Sequence, residues 1–188
     1  MMGSDYFTRP LEFLLTTLIE LYVLAVLLRF LLAAVRADFY NPVSQFLVKV
    51  TNPVVVPLRR LVPPAGRVDT ATLVALVGIE WLGQLLLGLL RGALHPWAAL
   101  VLSLATLTDM LFNVFLFAIF ILAILSWISP GAWNPVVSIV HSLAEPVLRP
   151  FRRLLPPISG VDLSPLLAIL ALVVAKMLVL PLFGILLQ

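Results

Sequence analysis

The chain has 188 residues, of which 62% are hydrophobic and 11% are charged, so it has too few polar side chains for a water-soluble surface. The formal net charge is +3, but eight of the twelve Lys and Arg residues lie in two short segments, 36–67 and 149–153. Clustered basic loops in an apolar chain indicate membrane topology. The absence of cysteine excludes disulfides and thiolate metal sites. The composition therefore predicts a membrane protein, with no nucleic-acid partner expected.

The first apolar run extends over residues 11–35 and is long enough to cross a hydrocarbon core of ~30 Å. A cleaved signal peptide has a shorter apolar region, whereas this run contains Glu12, Glu20 and Arg29. We therefore predict a retained membrane span. Arg29 lies near its end, where a long side chain reaches the interface, and we assign it no chemical role.

A polar segment over residues 41–69 separates this span from the next apolar run. Its first part predicts a short amphipathic helix, because apolar residues recur at the spacing of one helix face, at Val43, Leu47, Val50 and Val54. Pro53 and Pro57 predict that this helix breaks and that a second short turn or helix follows, since proline lacks the backbone N–H and restricts its predecessor. Asp69 is placed to cap the next span.

Two of the remaining apolar runs have the length of a single membrane span. Residues 70–90 form the predicted second span, with Glu80 at its middle, and residues 165–187 form the predicted fourth span, with Lys176 near its middle.

The run over residues 97–128 is too long for one ordinary span and too short for two. We divide it near Thr106 to Asp109. Residues 97–107 are predicted as an interfacial segment or an extension of the next helix, and about 109–128 as the third span.

The polar segment 41–69 occurs again as 134–162, at a constant offset of 93 residues and with agreement at 13 of 29 positions. Such agreement indicates a tandem duplication, with residues 1–96 as the first unit and 97–188 as the second. The shared residues include the two Asn-Pro pairs, Arg59-Arg60 with Arg152-Arg153, and Asp69 with Asp162; the apolar spacing recurs at Val136, Val140, Leu143 and Val147. The predicted fold is all-α and polytopic: four transmembrane helices as two tandem hairpins, each with an amphipathic loop rich in Pro and Arg.

The positions of the basic residues predict the orientation in the membrane. Positively charged loops stay on the cytoplasmic side. Because two spans separate the two basic loops, both loops are expected to face the cytoplasm and both termini the opposite side.

The repeated Asn-Pro, the prolines, the Arg pair, the double proline and the aspartate resemble the YggT family of bacterial inner-membrane proteins, related to the YlmG proteins of Gram-positive bacteria and chloroplasts. The resemblance covers both halves of the chain. It implies two helical hairpins, each with two spans joined by a cytoplasmic segment, in the inner membrane. For function it implies osmotic tolerance and potassium handling, cell or plastid division and nucleoid arrangement, or maturation of a plastid membrane cytochrome.

Three charged residues, Glu20, Glu80 and Lys176, fall near the middle of their predicted spans. An isolated charge there costs at least ~2.5–3.5 kcal/mol and is usually paired and turned inward. The three residues could form an ion or proton path. Alternatively, a pair such as Glu80 with Lys176 fixes helix register, and we predict that these two residues are partners because they lie at similar depth.

The repeated arginines are the candidates for contact with anionic lipid headgroups or with partner proteins; they are Arg59, Arg60, Arg152 and Arg153. His95 and His141 stand alone, without the spacing of a metal site, and no hydrolase or nucleotide-binding motif is present. We therefore expect no catalytic, cofactor or metal site.

Two functional hypotheses remain. The first is a non-enzymatic scaffold or assembly protein in envelope or osmotic homeostasis, whose loops contact lipids and membrane or cytoplasmic-face proteins. The second is a small transporter or channel-like component in which the two repeats enclose a site lined by Glu20, Glu80 and Lys176.

Overall fold

The computed structural model describes residues 4–65, 68–93, 95–128, 134–154 and 162–187. Within these ranges the regular structure is helical. The helices are α1 (Ser4–Ala34), α2 (Pro42–Leu61), α3 (Thr70–Leu90), α4 (Pro96–Ile128), α5 (Pro135–Leu154) and α6 (Ser164–Ile185). The double proline of the second repeat, Pro156-Pro157, and the basic residue Arg67 lie outside the described residues.

Four of the helices, α1, α3, α4 and α6, are long and apolar enough to cross a membrane. The predicted all-α architecture with four spans is therefore confirmed. Helix α3 packs against α1 and α4, and α4 packs against α6, so the spans follow one another as α1, α3, α4 and α6. The amphipathic helices α2 and α5 contact each other and the spans of their own repeat. They consequently lie on one side of the membrane.

Helices α1 and α3 end in the same type of turn. In each, one residue adopts the left-handed conformation, Arg36 after α1 and Gly92 after α3. The N–H of the next residue then bonds five residues back, Ala37 to Leu32 and Ala93 to Gly88, at 2.9 Å in both turns. This arrangement satisfies carbonyls at the helix end and reverses the chain. A Cβ at Gly88 would lie 2.8 Å from the oxygen of Ala93, so the second turn requires glycine there as well.

The hydrophobic core lies where the amphipathic helices meet the spans. Fully buried members come from α1, α2, α4, α5 and α6; they are Val23, Val26, Leu32, Val55, Ile119, Ala144, Leu148 and Ala168. The opposite half of α1 is largely exposed, with Phe13 and Leu18 facing outward. Outward-facing apolar residues of this kind suit contact with lipid. The best-packed part of the molecule is therefore the end that carries α2 and α5.

The third span is one continuous helix of 33 residues. Of the two alternatives for residues 97–107, extension of the next helix is therefore confirmed, whereas the predicted division near Thr106 to Asp109 is absent. The polar residues at that point do not interrupt the helix, because they are satisfied along it. The Thr108 hydroxyl donates to the Leu104 oxygen at 2.7 Å, and Asp109 accepts a bond from Asn113 at 2.8 Å. A helix that exceeds the hydrocarbon thickness tilts or extends beyond it.

The predicted break at the prolines of the amphipathic segments is also wrong. Helix α2 runs through Pro53 and Pro57, and α5 runs through Pro146 and Pro150. All four prolines are exposed. A proline removes one helix bond and leaves one carbonyl free, and on an exposed face polar groups outside the helix can satisfy that carbonyl. The buried side of each helix stays continuous, so packing against the bundle outweighs the local cost.

Candidate functional site

Each amphipathic helix begins at the asparagine of an Asn-Pro pair. The Asn41 side-chain oxygen accepts a hydrogen bond from the N–H of Val43, and that of Asn134 accepts one from Val137, both at 2.9 Å. The proline that follows occupies the first helical position, where its missing N–H costs nothing. This capping role was not predicted from the sequence, although an Asn-Pro before a helical pattern is a recognisable helix start.

Asn41 also links the two repeats. Its side-chain nitrogen donates to the backbone oxygen of Pro135 at 2.7 Å, so the start of α2 is bonded to the start of α5. The two amphipathic helices therefore form one surface. We call this surface the platform and define it as the exposed sides of α2 and α5.

In the first repeat, the side chain of Arg59 reaches the start of the next span, α3, although part of it is exposed to solvent. It forms an ion pair with Asp69, the residue that caps α3. Asp69 also accepts bonds from the N–H and the hydroxyl of Thr72, at 3.3 and 2.7 Å. Partial burial raises the pKa of this carboxyl, but the bonds from Arg59 and Thr72 outweigh burial and hold the pKa below its ordinary value of 3.8. The predicted capping role of Asp69 is confirmed.

The second repeat builds the same connection with one addition. Arg152 bonds Asp162 at 3.0 Å and Glu145 at 2.6 Å, so one guanidinium joins two carboxylates. Asp162 accepts further bonds from the N–H and hydroxyl of Ser164, the first residue of α6. Burial again raises the pKa of Asp162, and the bonds from Ser164 and Arg152 again lower it below 3.8 overall. Helix α6 has Leu163 at its cap position, so Asp162 stands one residue farther out than Asp69 does.

The two arginines of each repeated pair therefore have different surroundings. Arg59 and Arg152 form ion pairs with aspartates of the same chain, whereas Arg60 and Arg153 are exposed and take no part in those ion pairs. In the described part of the chain, neither Arg60 nor Arg153 forms an ion pair. Lys49 and Arg149 are exposed on the same two helices. Four cations of the platform are thus turned outward.

Arg29 does not extend toward the interface as we expected. Its side chain is only 4% exposed and reaches α2, where one terminal nitrogen donates to the Thr51 hydroxyl at 2.7 Å and to the Asn52 side-chain oxygen at 2.9 Å. A buried guanidinium needs such acceptors. Arg29 therefore anchors the platform to the first span.

Glu80 is 2% exposed in the middle of α3. One of its oxygens accepts a bond from Gln84 at 2.9 Å, and the other has no hydrogen-bond partner among the described residues. Glu20 of α1 is exposed and lies within electrostatic range of it. These two acids and Gln84 form a polar group between α1 and α3.

Lys176 does not contact this acidic group, so the predicted pairing of Glu80 with Lys176 is wrong. The Lys176 ammonium lies 2.7 Å from a carboxylate oxygen of Asp109 and 2.7 Å from the side-chain oxygen of Asn113. Helix α4, which carries both partners, lies between α3 and α6. The structure thus separates the predicted cluster of three charges into two polar groups, one in each repeat.

An apolar groove of about 500 Å³ opens between α1, α4 and α5. Leu24 and Leu28 line one wall, Val114 and Phe117 line the other, and Leu143 of α5 closes one end. Within the described residues, no group of three or more His, Asp or Glu is arranged to hold a metal ion. The site is therefore a basic helical surface with an apolar groove beside it.

Comparison with protein-family models gives a match to the CCB3/YggT model over residues 8–90 and again over residues 101–183. The two matches are displaced by the same 93 residues as the repeated segments. The chain belongs to the CCB3/YggT family. This result confirms the resemblance inferred from the repeated residues and the presence of two YggT units in tandem.

Relatives within the YggT family cover most of this chain. An uncharacterized protein of Pseudomonas aeruginosa is 46% identical over 89% of this chain and 86% of its own length. The uncharacterized protein YggT of Escherichia coli K12 is 41% identical over 89% of this chain and 87% of its own. A third, from Haemophilus influenzae, is 35% identical over 89% and 90%. No solved structure matches the chain.

The two YggT units have the same order of helices but different side chains that accept hydrogen bonds from a guanidinium. Asn52 of the first unit stands where the second has Glu145, and Arg29 stands where the second has Leu122. The first unit brings a cation from its span to Asn52, whereas the second brings Arg152 from the same helix to Glu145. Both arrangements tie the middle of an amphipathic helix to a guanidinium.

Proposed function

We propose that this YggT protein is a non-enzymatic scaffold of the bacterial inner membrane, whose platform binds anionic lipid headgroups and docks partner proteins on the cytoplasmic face. One observation carries the proposal. Arg60 and Arg153 are exposed and without ion pairs in the described structure, while their neighbours Arg59 and Arg152 tie the same helices to the spans.

The physical basis is a fixed array of cations. A guanidinium binds phosphate or carboxylate with paired hydrogen bonds, and binding costs less entropy when the side chain is carried by an ordered element. The platform is ordered by the Asn41–Pro135 bond and by Arg29. Each cation near an anionic membrane surface contributes ~1 kcal/mol of attraction. The apolar groove beside α5 offers a place for a lipid chain whose headgroup lies at this surface.

Lipid retention tests the proposal. The full chain is placed in nanodiscs that contain a mixture of anionic and zwitterionic phospholipid, and co-purified lipid is measured by native mass spectrometry. We expect Arg60→Gln with Arg153→Gln to reduce bound anionic lipid, because the outward cations are lost while the internal ion pairs remain. Arg91→Gln is the control; Arg91 is an exposed arginine at the opposite end of the bundle, where it forms an ion pair with Glu12. Equal retention by the two variants would contradict the lipid role.

Docking of partners is tested separately in cells. A deletion strain is complemented with the wild type or with the Arg60→Gln, Arg153→Gln variant, and growth is followed under osmotic stress. We expect a platform-dependent defect if the protein serves envelope or osmotic homeostasis. Full complementation by the platform variant, at equal protein level, would count against that role.

A second candidate, ion handling, is favoured by the acidic group between α1 and α3. Among the described residues, one oxygen of Glu80 has no hydrogen-bond partner within the span, and Glu20 is near it. Intramembrane carboxylates commonly mark ion or proton paths. Proteoliposomes loaded with potassium or with a pH dye test this candidate. Flux that disappears in Glu80→Gln and persists in Arg60→Gln would support it, and absence of flux in the wild type would exclude it.

A further inference from the structure

The polar group of the second repeat lies on the outer surface of the bundle. Lys176, Asp109 and Asn113 meet where α6 faces α4, and the side chains of Lys176 and Asp109 are 24% and 39% exposed. Lys176 lies twelve residues after the start of α6 and nine before its end. At 1.5 Å per residue these distances are about 18 Å and 14 Å, so the group lies near the middle of the span.

Lipid is a poor environment for this group. Charged residues within spans almost always face protein or a water-filled cavity, because hydrocarbon does not solvate them. Lys176 does not extend toward the headgroups, since its ammonium is held by Asp109 and Asn113. The residues near it are apolar and exposed, as lipid-facing residues are: Met177 is 70% exposed and Phe117 is 66% exposed. This part of the surface therefore needs a protein cover.

The arrangement of the two charges indicates what that cover is. The cation lies on α6 and the anion on the adjacent α4, so they stand side by side at one depth. A twofold axis along the membrane normal, which keeps both copies in the same orientation, places the cation of one copy opposite the anion of the other. A face with one side-by-side ion pair is therefore complementary to itself.

We propose that a second copy of this chain covers the α4–α6 face, with Lys176 of one protomer opposite Asp109 of its partner. The same face carries an open groove of about 430 Å³, lined by Asn113, Leu116, Phe117, Phe120, Ile169 and Val173. Side chains of the second copy fill this groove. Two copies joined in this way form a closed dimer and leave no further copy of the face exposed.

The first repeat does not provide such a face. The positions equivalent to Asp109, Asn113 and Lys176 are Thr16, Glu20 and Gly83. At Gly83 the helices α1 and α3 approach closely, since a Cβ there would lie 2.9 Å from Ile19. In the described part of the chain, the polar group between these helices contains Glu20 and Glu80 without a paired cation, so two copies of it would not complement each other. The dimer contact is thus assigned to the second hairpin.

Disulfide crosslinking in native membranes tests the contact, because the wild-type chain has no cysteine. Met177→Cys is compared with Leu82→Cys, an exposed residue on α3. We expect a self-crosslinked dimer from Met177→Cys, or from Phe117→Cys on the same face, in several-fold higher yield than from Leu82→Cys. Equal yields, or capture of other proteins in place of a second copy, would overturn the proposal.

Charge complementation separates a dimer contact from an internal ion pair. Lys176→Leu and Asp109→Leu are each introduced into the Met177→Cys chain. Each variant is expected to lose dimer yield, because the remaining charge then faces a leucine of the partner and is left unpaired. Co-expression of the two variants with different tags restores one cation–anion pair across the interface, so the mixed dimer should return. Failure of the mixed dimer to form, while the Lys176→Leu, Asp109→Leu double variant remains folded, would show that the charges pair only within one chain.

Discussion

Arg59 and Arg152 occupy the same position in the two repeats, and each holds an aspartate that precedes the next span. The aspartate is in turn bonded to the first turn of that span, through Thr72 or Ser164. One carboxylate thus joins an amphipathic helix to the start of a membrane helix. Opposite charge and hydrogen bonding both favour its ionised form.

We expect Asp69→Ala to destabilise the protein by roughly 0.5–2 kcal/mol, the usual cost of a lost helix cap. The thermal midpoint in detergent or nanodiscs measures this effect. Asp38→Ala is the control, because Asp38 is an exposed acid with one bond to a turn N–H. An equal loss in both variants would contradict the capping role.

The effect of Asp69 should also depend on pH. Its pKa is lower in the folded protein than its ordinary value, so its stabilisation is complete above that ordinary value and is lost as pH falls toward the lowered one. The difference in thermal midpoint between wild type and Asp69→Ala is therefore expected to be constant from neutral pH to about pH 5 and to narrow below about pH 4. If the difference in thermal midpoint between wild type and Asp69→Ala became larger as the pH falls, the pKa of Asp69 would be raised by folding, and this prediction would be wrong.

Arg29 provides a second test, because the two repeats bind a guanidinium to the middle of the amphipathic helix in different ways, Arg29 to Asn52 in the first and Arg152 to Glu145 in the second. Arg29→Leu copies the second repeat and leaves acceptors on α2 without their cation, at a cost of ~1–3 kcal/mol for each unsatisfied group. Adding Asn52→Glu copies the second repeat further, since Arg59 should then reach Glu at position 52 as Arg152 reaches Glu145. We expect the double variant to recover part of the thermal midpoint. A further fall would show that the repeats are not interchangeable.

At the scale of the elements, sequence periodicity predicted the amphipathic helices and spans, and the observed bounds differ from prediction mainly at two points. In both cases, one or a few residues were taken to end a helix without regard to how the rest of the helix packs. Proline was taken to end a helix, although Pro53 and Pro57 are exposed and leave the packed side intact. The polar residues from Thr106 to Asp109 were taken to divide a long run, although Thr108 and Asp109 form hydrogen bonds within the helix. The spacing of residues within one helix does not show which of its sides packs against the other helices.

Replacing the internal prolines tests this account. We expect Pro53→Ala or Pro57→Ala to raise the thermal midpoint, because alanine is up to ~3 kcal/mol more favourable than proline in a helix interior. Helix content by circular dichroism should stay the same, since α2 is already continuous. Pro42→Ala at the start of the same helix is the control and should give no gain. A rise in helix content would instead indicate that the prolines break the helix.

At the scale of the whole molecule, the sequence predicted depth but not lateral position. Glu80 and Lys176 do lie at similar depths, which made them plausible partners. Their lateral separation depends on α4 standing between α3 and α6, which spacing within either helix does not reveal. The signal for the actual partner was the pair Asp109 and Asn113, four residues apart inside an apolar run. We interpreted that polar position as a boundary and therefore did not consider it as an intramembrane partner.

The contact between α2 and α5 places both platform helices on one side, and the basic loops predict that this side is cytoplasmic. We expect Arg60→Cys and Arg153→Cys to resist an impermeant thiol reagent in intact spheroplasts and to react after lysis. Arg91→Cys should react from outside. Labelling of Arg60→Cys before lysis would reverse the orientation.

The bond from Asn41 to Pro135 has a consequence for biosynthesis. The acceptor is translated 94 residues after the donor, so the ribosome completes the first hairpin well before the platform can close. During that interval the face of α2 that later meets α5 has no intramolecular partner. Closure therefore waits for α4 to enter the bilayer and for the start of α5 to be translated. If the two repeats are made as separate polypeptides, we expect them to associate through the contact between α2 and α5. The rate of that association would indicate how long the first repeat waits for the second.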